Sequence, residues 1–231
     1  MLLACVSACL SASGLDSRAG AAACTDAFPN GLQSTGNSAQ LLTVVAGTRT
    51  STRGTVRLWK RSGECWVRAG GPWRAWLGGR GVSANRHEGD RTTPAGVFGF
   101  GSVMYGVAPN PGVRYPYHRV VCGDWWVEDA RSPYYNRFHH VPCGTRPPFR
   151  VTDQDMSRSP TAYRHFAFIG FNTDPVIPGR GSGIFLHAST GRPTLGCVAL
   201  AVPNLLTVLR SLRPELEPLV AIGTPDQLAR I

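Results

Sequence analysis

Residues 185–200 read FLHASTGRPTLGCVAL. An apolar run ends at His187, a polar loop follows, and a second apolar run begins directly after Cys197. The pattern predicts two short strands and a loop that brings these two side chains together, although they are ten positions apart. A cysteine attacks as its thiolate, and a nearby imidazole is the usual base that generates it. Gly196 allows close approach of a substrate, so the stretch is typical of a nucleophile beside its base.

Short β patterns dominate the rest of the chain. Runs of β-branched or alternating residues are separated by glycine and proline, which indicates a mostly β, α+β domain. The expected strands are residues 41–46, 55–60, 65–69, 97–100, 120–122, 125–127, 167–171, 184–187 and 219–222, with turns at 61–64 and 123–124. One helix is expected over residues 203–213, because Leu205, Val208, Leu209 and Leu212 share a face and Pro214 follows.

The N-terminal region differs in composition from the rest. Residues 1–23 are apolar and rich in small residues, like a signal peptide, although no basic segment precedes them. Residues 24–40 are expected to be a flexible arm, and residues 41–231 are expected to form one domain. A lipoprotein anchor at Cys24 is the alternative to simple cleavage. No later apolar run reaches about 18 residues, so no membrane span is expected in the mature chain.

The chain is strongly basic, with a formal net charge of +10. Lys60 is the only lysine, and this arginine bias is also what a GC-rich genome produces. A positive field favours anionic polymers, such as wall phosphates or nucleic acid. No basic run, zinc spacing or RNA-binding signature is present, so nucleic acid is not expected as a partner.

The cysteine count indicates an oxidising compartment. Five of the seven cysteines follow residue 23, so four can pair and one remains free. Parity and nearness in sequence favour a Cys122–Cys143 disulfide, with Cys24–Cys65 as the second pair. Cys197 is then the free and reactive thiol, and its setting leads us to expect a lowered pKa and exposure. We therefore expect a secreted or extracytoplasmic protein.

Three segments carry a resemblance to a known family. Residues 194–198 (TLGCV) fit a Ser/Thr-x-Gly-Cys motif, residues 88–98 (EGDRTTPAGVF) fit a Thr-Pro-x-Gly-x-Phe segment, and residues 181–187 (GSGIFLH) fit the strand before the site. Through these segments the chain resembles the L,D-transpeptidase catalytic domain (YkuD-like) family, in a branch common among actinobacteria. The resemblance covers roughly residues 40 to 223. The loop before the cysteine is shorter than usual, and Ala199 stands where many members have arginine.

The resemblance implies both a fold and a reaction. The fold would be a β-sandwich of mixed sheets with short helices, one of them after the catalytic cysteine. Cys197 would attack a peptidoglycan stem peptide to form a thioester, with His187 as general base. Main-chain N–H groups of Leu195, Gly196 and Cys197 would hold the oxyanion, and Thr194 would shape the turn. No metal or organic cofactor is called for.

Stem peptides present carboxylates, which a guanidinium matches well. Because Ala199 cannot supply one, Arg192 in the catalytic loop is the first candidate for substrate binding, and Arg180 is the second. A solvent-facing role for Arg192 is an equal alternative. Asn172 is a candidate polar contact, with a turn role as its alternative.

Several other interpretations stay open at this point. Hydrolysis of the thioester would make the protein an L,D-carboxypeptidase or another cysteine peptidase. A non-catalytic wall-binding module stapled by disulfides, with an inert buried Cys197, is a further alternative. His118, His139 and His140 lack the spacing of a metal site. The aromatic residues of the long stretch before residue 150 are expected to pack in the core or to line a substrate groove.

Overall fold

A computed structural model describes residues 24–25, 27–151 and 155–231; the leader expected at residues 1–23 lies outside them. Within the described residues the strands are β1 (Gln40–Ala46), β2 (Arg53–Ser62), β3 (Cys65–Trp76), β4 (Val82–Ser83), β5 (Thr93–Pro94), β6 (Gly96–Gly106), β7 (Tyr117–Arg119), β8 (Asp124–Trp126), β9 (Phe138–His140), β10 (Phe166–Ile169), β11 (Phe185–Ala188), β12 (Val198–Leu200) and β13 (Leu219–Gly223). The α-helices are α1 (Ala27–Asn30), α2 (Val202–Ser211) and α3 (Pro225–Leu228), and 3-10 turns lie at Met156–Arg158 and Pro214–Leu216. The mostly β prediction is confirmed.

The main sheet is mixed and closes on itself. Its strands follow the order β10-β11-β12-β3-β2-β1-β13-β6-β7, and β6 also pairs with β10. The long β6 makes this closure possible, because residues 96–99 pair with β13 whereas residues 100–105 pair with β10. The expected mixed sheets are therefore one continuous ring. Two small ladders, β4–β5 and β8–β9, lie outside it.

The α2 helix packs against strands β11 and β12 of the sheet. Its buried residues are Leu205, Val208 and Leu209, with Leu212 buried at the C-cap. These are the four positions that periodicity assigned to one face. The helix contacts β11 and β12, the strands that carry His187 and follow Cys197. Burial of these apolar side chains, each worth about 1.5–3 kcal/mol, supports the two strands from behind.

The two faces of the β10–β11–β12 region belong to different apolar clusters. Leu186 and Val198 lie in the main core with α2. The opposite face carries a second cluster formed by residues of β10, β11 and the nucleophile loop: Phe166, Phe168, Phe185 and Cys197. Residues 107–151 and 155–164, here called the cap, cover this second face with Val120, Met156, Trp126, Phe138 and Tyr163. The cap contains β7, β8 and β9.

Two predicted segments differ in the structure. Residues 120–122, expected to be a strand, lead into a turn, because the Val121 N–H donates to the Asp124 side chain (2.8 Å) and the Asp124 N–H donates to the Val121 carbonyl. Residues 27–40, part of the segment expected to be a flexible arm, contact the domain. The Asn30 side chain accepts from Trp66 N at 2.7 Å, and Leu32 is buried beside Trp59.

Both expected disulfides are present, Cys24–Cys65 and Cys122–Cys143. The first one ties the N-terminal segment to the start of β3, and the second lies within the cap. A sulfur that is bonded to Cys65 cannot carry a thioether, so the alternative of a lipid anchor at Cys24 is wrong for this disulfide-bonded form. In the described part of the chain, Cys197 is the free cysteine.

Candidate active site

The register of β11 and β12 brings His187 and Cys197 to the same face. These strands run parallel, with Leu186 opposite Val198 and His187 opposite Ala199. Cys197 therefore lies beside Phe185, two residues before His187, and side chains two residues apart on a strand share a face. Neighbouring strands lie about 4.8 Å apart, so the thiol and the imidazole are diagonal neighbours.

The thiol of Cys197 is buried and bonded to the main chain. It donates to the carbonyl oxygen of Gly183 at 3.4 Å and accepts from Phe185 N at 3.4 Å. Burial raises the pKa of Cys197 to about 11, although the Phe185 N–H and the Arg86 charge act in the opposite direction. The expectation of an exposed thiol with a lowered pKa is wrong, because the cap removes water from this face.

The imidazole of His187 is neutral and has one defined tautomer. Its Nδ1 lies 2.8 Å from the Ala188 carbonyl oxygen. A carbonyl only accepts, so Nδ1 carries the proton and Nε2 keeps the lone pair. Burial lowers the pKa of His187 to about 4, against the carbonyls of Ala188 and Ala162, which favour the charged form. At neutral pH the ring is thus neutral, and its Nε2 lone pair is the one that can accept a proton in a reaction.

The nucleophile loop is held by Thr194. Its hydroxyl donates to the Cys197 carbonyl (2.8 Å) and accepts from Gly196 N (3.1 Å), which fixes the turn before the cysteine. Thr194 therefore has the turn-shaping role that the sequence indicated. The Gly196 N–H, expected to help hold an oxyanion, is engaged by this hydroxyl. The main-chain N–H groups of Leu195 and Cys197 are then the candidate oxyanion donors.

Gly196 cannot be replaced without moving its neighbours. Its φ is +144°, a conformation that side chains rarely adopt. A Cβ at this position would lie 2.5 Å from the Arg86 guanidinium and 2.8 Å from the Thr92 carbonyl oxygen. The glycine before the cysteine thus lets a buried arginine pack against the nucleophile loop.

Sequence reasoning missed Arg86. Its side chain is only 4% exposed and pairs with Asp90, whose Oδ1 lies 3.0 Å from Nη1. The same guanidinium donates to the carbonyls of Thr92 and Leu195. Arg86 lies two residues before residues 88–98, which carried the family resemblance, but no residue pattern distinguishes it from the other arginines. Only the fold brings it to Cys197.

Asn136 was also missed. It positions Gly183, whose carbonyl accepts the hydrogen bond from the thiol. Its Oδ1 accepts from Gly183 N (3.0 Å) and from Trp126 Nε1 (3.0 Å). Its amide donates to the carbonyls of Phe171 and Asn172. Asn136 belongs to the cap, so the cap helps to order the strand that leads to His187.

A second polar network joins the cap to the same strand. The Glu88 carboxylate accepts from the hydroxyls of Tyr135 and Ser182, and the Tyr135 oxygen accepts from Gly181 N at 3.1 Å. Burial and the neighbouring Glu88 raise the pKa of Tyr135, which stays a neutral donor. Glu88 lies in the EGD part of residues 88–98, and its role there is to connect three segments.

The remaining predicted site residues lie outside the thiol's immediate contacts. Asn172 has a φ of +56°, and its side chain bonds Ile177 N, Ile177 O and Gly181 O, which is the turn role. Arg192 is exposed in the loop between the two catalytic candidates. Arg180 is exposed, and its guanidinium lies 5.9 Å from the centre of the Phe171 ring.

The cap histidines bind a carboxylate. Asp124 is fully buried, and its two oxygens bond His118 Nε2 (2.8 Å) and His140 Nδ1 (2.7 Å). His139 stacks on Tyr134, with 4.0 Å between ring centres. The aromatic residues were expected to pack in the core or to line a groove. Phe138 takes the first role, because it stacks on Tyr105, which in turn stacks on Phe166 in the cluster that contains the thiol.

The fold and this site agree with one family of enzymes. Residues 44–224 match the YkuD L,D-transpeptidase catalytic domain, and the chain belongs to that family. No curated protein and no solved structure gives a significant match to the chain. Among the described residues, no helix is long and apolar enough to cross a membrane.

Proposed function

We propose that the protein is an exported cysteine acyltransferase that forms 3-3 cross-links between peptidoglycan stem peptides. The observation that supports this most is the placement of Cys197 and His187 on one face of β11–β12, with Nε2 of His187 unprotonated. A cysteine beside a neutral imidazole can form a thioester without a cofactor. The family provides the substrate class, a stem peptide with a bond between an L-centre and a D-centre.

Acylation begins when the Cys197 proton moves to Nε2 of His187. The thiolate then attacks the carbonyl carbon between the two centres, and the C–S bond forms as the C=O π electrons move onto the oxygen, which gives a tetrahedral intermediate. Collapse of this intermediate re-forms the carbonyl and breaks the C–N bond. His187 returns the proton to the leaving amine, and the terminal D-residue departs. The N–H groups of Leu195 and Cys197 bind the oxyanion of the tetrahedral intermediate.

Deacylation uses the same groups in reverse. The side-chain amine of a neighbouring stem attacks the thioester, His187 accepts the amine's proton, and the thiolate leaves and is reprotonated. Transfer instead of hydrolysis requires that water be kept from the thioester. Both catalytic side chains are less than 10% exposed beneath the cap, which favours transfer over hydrolysis.

The two disulfides support an extracytoplasmic location. Disulfides form and persist in oxidising compartments, and both pairs fit an enzyme at the cell wall. A net charge of +10 also favours contact with anionic wall polymers.

Product analysis on a disaccharide-tetrapeptide tests the proposal. The protein is expected to release the terminal D-residue and to yield a cross-linked dimer, whereas Cys197→Ser yields neither. A tripeptide product without dimer would assign the protein to the L,D-carboxypeptidases. No product from a folded protein would favour the non-catalytic wall-binding module.

A further inference from the structure

We propose that Arg86 is the cation of this active site, a positioning residue that holds the Cys197 loop and stabilises the thiolate. This inference rests on the proposed use of Cys197 as nucleophile. Arg86 comes from a different part of the chain, the loop between β4 and β5.

The buried guanidinium of Arg86 has one donor without a hydrogen-bond partner in the described part of the chain. The Nη1 atom of Arg86 is engaged by Asp90, Thr92 and Leu195. Its Nε is buried and has no hydrogen-bond partner in the described part of the chain. A buried guanidinium with an unused donor is costly, and such groups are kept where their charge or a missing acceptor is needed.

Two glycines, Gly181 and Gly196, make room for the Arg86 side chain on two sides. A Cβ on Gly181 would lie 2.8 Å from Arg86 Nε, and a Cβ on Gly196 would lie 2.5 Å from Nη1. Both glycines have positive φ. Gly196 precedes the nucleophile. Gly181 lies two residues before Gly183, whose carbonyl accepts the hydrogen bond from the thiol. Arg86 therefore lies between the two segments that set the thiol's position.

Two charged side chains, Arg86 and Glu128, act on the Cys197 sulfur in opposite directions. The Arg86 charge lowers the pKa of Cys197, whereas the Glu128 carboxylate from the cap raises it. The remaining titratable groups near the site are His187 on β11, Asp90 beside Arg86, and Tyr163 and Tyr105 in the surrounding cluster. Arg86 is the cation among these groups, because the pKa of His187 is lowered to about 4.

A substitution of Asp90 also tests the role of Arg86, because it should change the rate of Cys197 alkylation in the opposite direction. Its carboxylate bonds Thr92 N, Thr92 Oγ1 and His87 N in addition to Arg86. Burial raises its pKa, but these hydrogen bonds and Arg86 outweigh burial and hold the pKa below its usual value. Asp90→Asn keeps the shape of the side chain and removes the charge that balances Arg86. A structural role for the pair predicts the same direction of change from either partner, whereas an electrostatic role predicts opposite directions.

The experiment measures the rate of Cys197 alkylation by iodoacetamide as a function of pH, without substrate. We expect Arg86→Met to raise the apparent thiol pKa and to slow alkylation at pH 8 about tenfold or more, since one pKa unit is tenfold in thiolate. Arg86→Lys should restore part of the rate, and Asp90→Asn should accelerate alkylation. Arg68→Met, an exposed arginine on β3, is the matched control.

Two results would overturn the assignment. One is an unchanged pH profile in a folded Arg86→Met protein, and the other is equal slowing in Arg86→Met and Asp90→Asn. If Arg86→Met does not fold, the comparison of Arg86→Lys with Asp90→Asn decides, because Asp90→Asn must then be the faster of the two. Failure of transpeptidation with the expected alkylation profiles would refute the proposed function and leave the role of Arg86 intact.

Discussion

The sulfur of Cys197 lies 3.4 Å from the carbonyl oxygen of Gly183, and this carbonyl accepts a hydrogen bond from the thiol in the resting protein. His187 lies on the same face but is not the thiol's hydrogen-bond partner among the described residues. The pair is therefore stored as a neutral thiol and a neutral imidazole, and not as a thiolate–imidazolium pair. Proton transfer to His187 belongs to the reaction itself.

The first prediction concerns the reactivity of the free enzyme. Because the pKa of Cys197 is raised to about 11, alkylation should accelerate about tenfold per pH unit between about pH 7 and 10, without a plateau. Peptide mapping after brief treatment should find the label at Cys197. A plateau below about pH 8 would contradict a neutral resting pair and indicate a preformed thiolate.

The second prediction concerns His187. Its pKa is lowered to about 4, so the base form is present above that pH and is lost as the pH falls through it. Protonation of His187 should therefore not reduce the value of kcat/KM for acylation between about pH 5 and 7. His187→Ala should leave the fold intact and reduce acylation by about two orders of magnitude or more. Near-normal acylation in that variant would remove His187 from the mechanism.

The third prediction concerns substrate carboxylates. Arg192 is exposed in the catalytic loop, and we propose that it binds a stem carboxylate. A charge-assisted hydrogen bond is worth about 1.5–3 kcal/mol, so Arg192→Ala should lower kcat/KM on a tetrapeptide stem about ten- to a hundredfold. Arg68→Ala is the matched control. A change below about threefold would transfer the role to Arg180, which the same assay can test.

The fourth prediction concerns the buried Asp124 of the cap. Burial raises its pKa, but hydrogen bonds from Val121 N, His118 and His140 outweigh burial and hold the pKa below the usual 3.8. A lowered folded-state pKa stabilises the protein above pH 3.8, and this stabilisation is lost as the pH falls through the folded-state pKa. Asp124→Asn should thus reduce the free energy of unfolding by about 1–3 kcal/mol at pH 7.

Denaturant unfolding at two pH values checks this prediction. The difference between Asp124→Asn and the parent should shrink when the pH is lowered below 3.8. Glu64→Gln, at an exposed turn position, should change little at either pH. Equal stability of Asp124→Asn and the parent at pH 7 would show that the carboxylate does not support the cap.

Local patterns predicted what local patterns determine. The buried face of α2, the turn between β2 and β3, and the order of His187, loop and Cys197 depend on residues close in sequence, and the structure contains all three. The disulfide pairs followed from parity and nearness. Periodicity and short motifs therefore located the nucleophile and the strand that carries its base.

Long-range packing accounts for what was missed. The pKa values of Cys197 and His187 depend on the cap, whose covering of the site cannot be read from residues 185–200. Arg86 reaches the Leu195 carbonyl in the nucleophile loop from a loop more than a hundred positions away. Asn136 acts on Gly183 across the cap interface. Each of these effects depends on where the folded chain places two distant segments.

Trapping of the acyl-enzyme tests the central claim most directly. The protein is incubated with a tetrapeptide stem in the absence of an acceptor amine, quenched in acid, and examined by intact mass and peptide mapping. The account predicts a mass increase equal to the acyl donor without its terminal D-residue, located on Cys197 and absent from Cys197→Ser. An adduct on another residue, or turnover of the stem by folded Cys197→Ser, would contradict it.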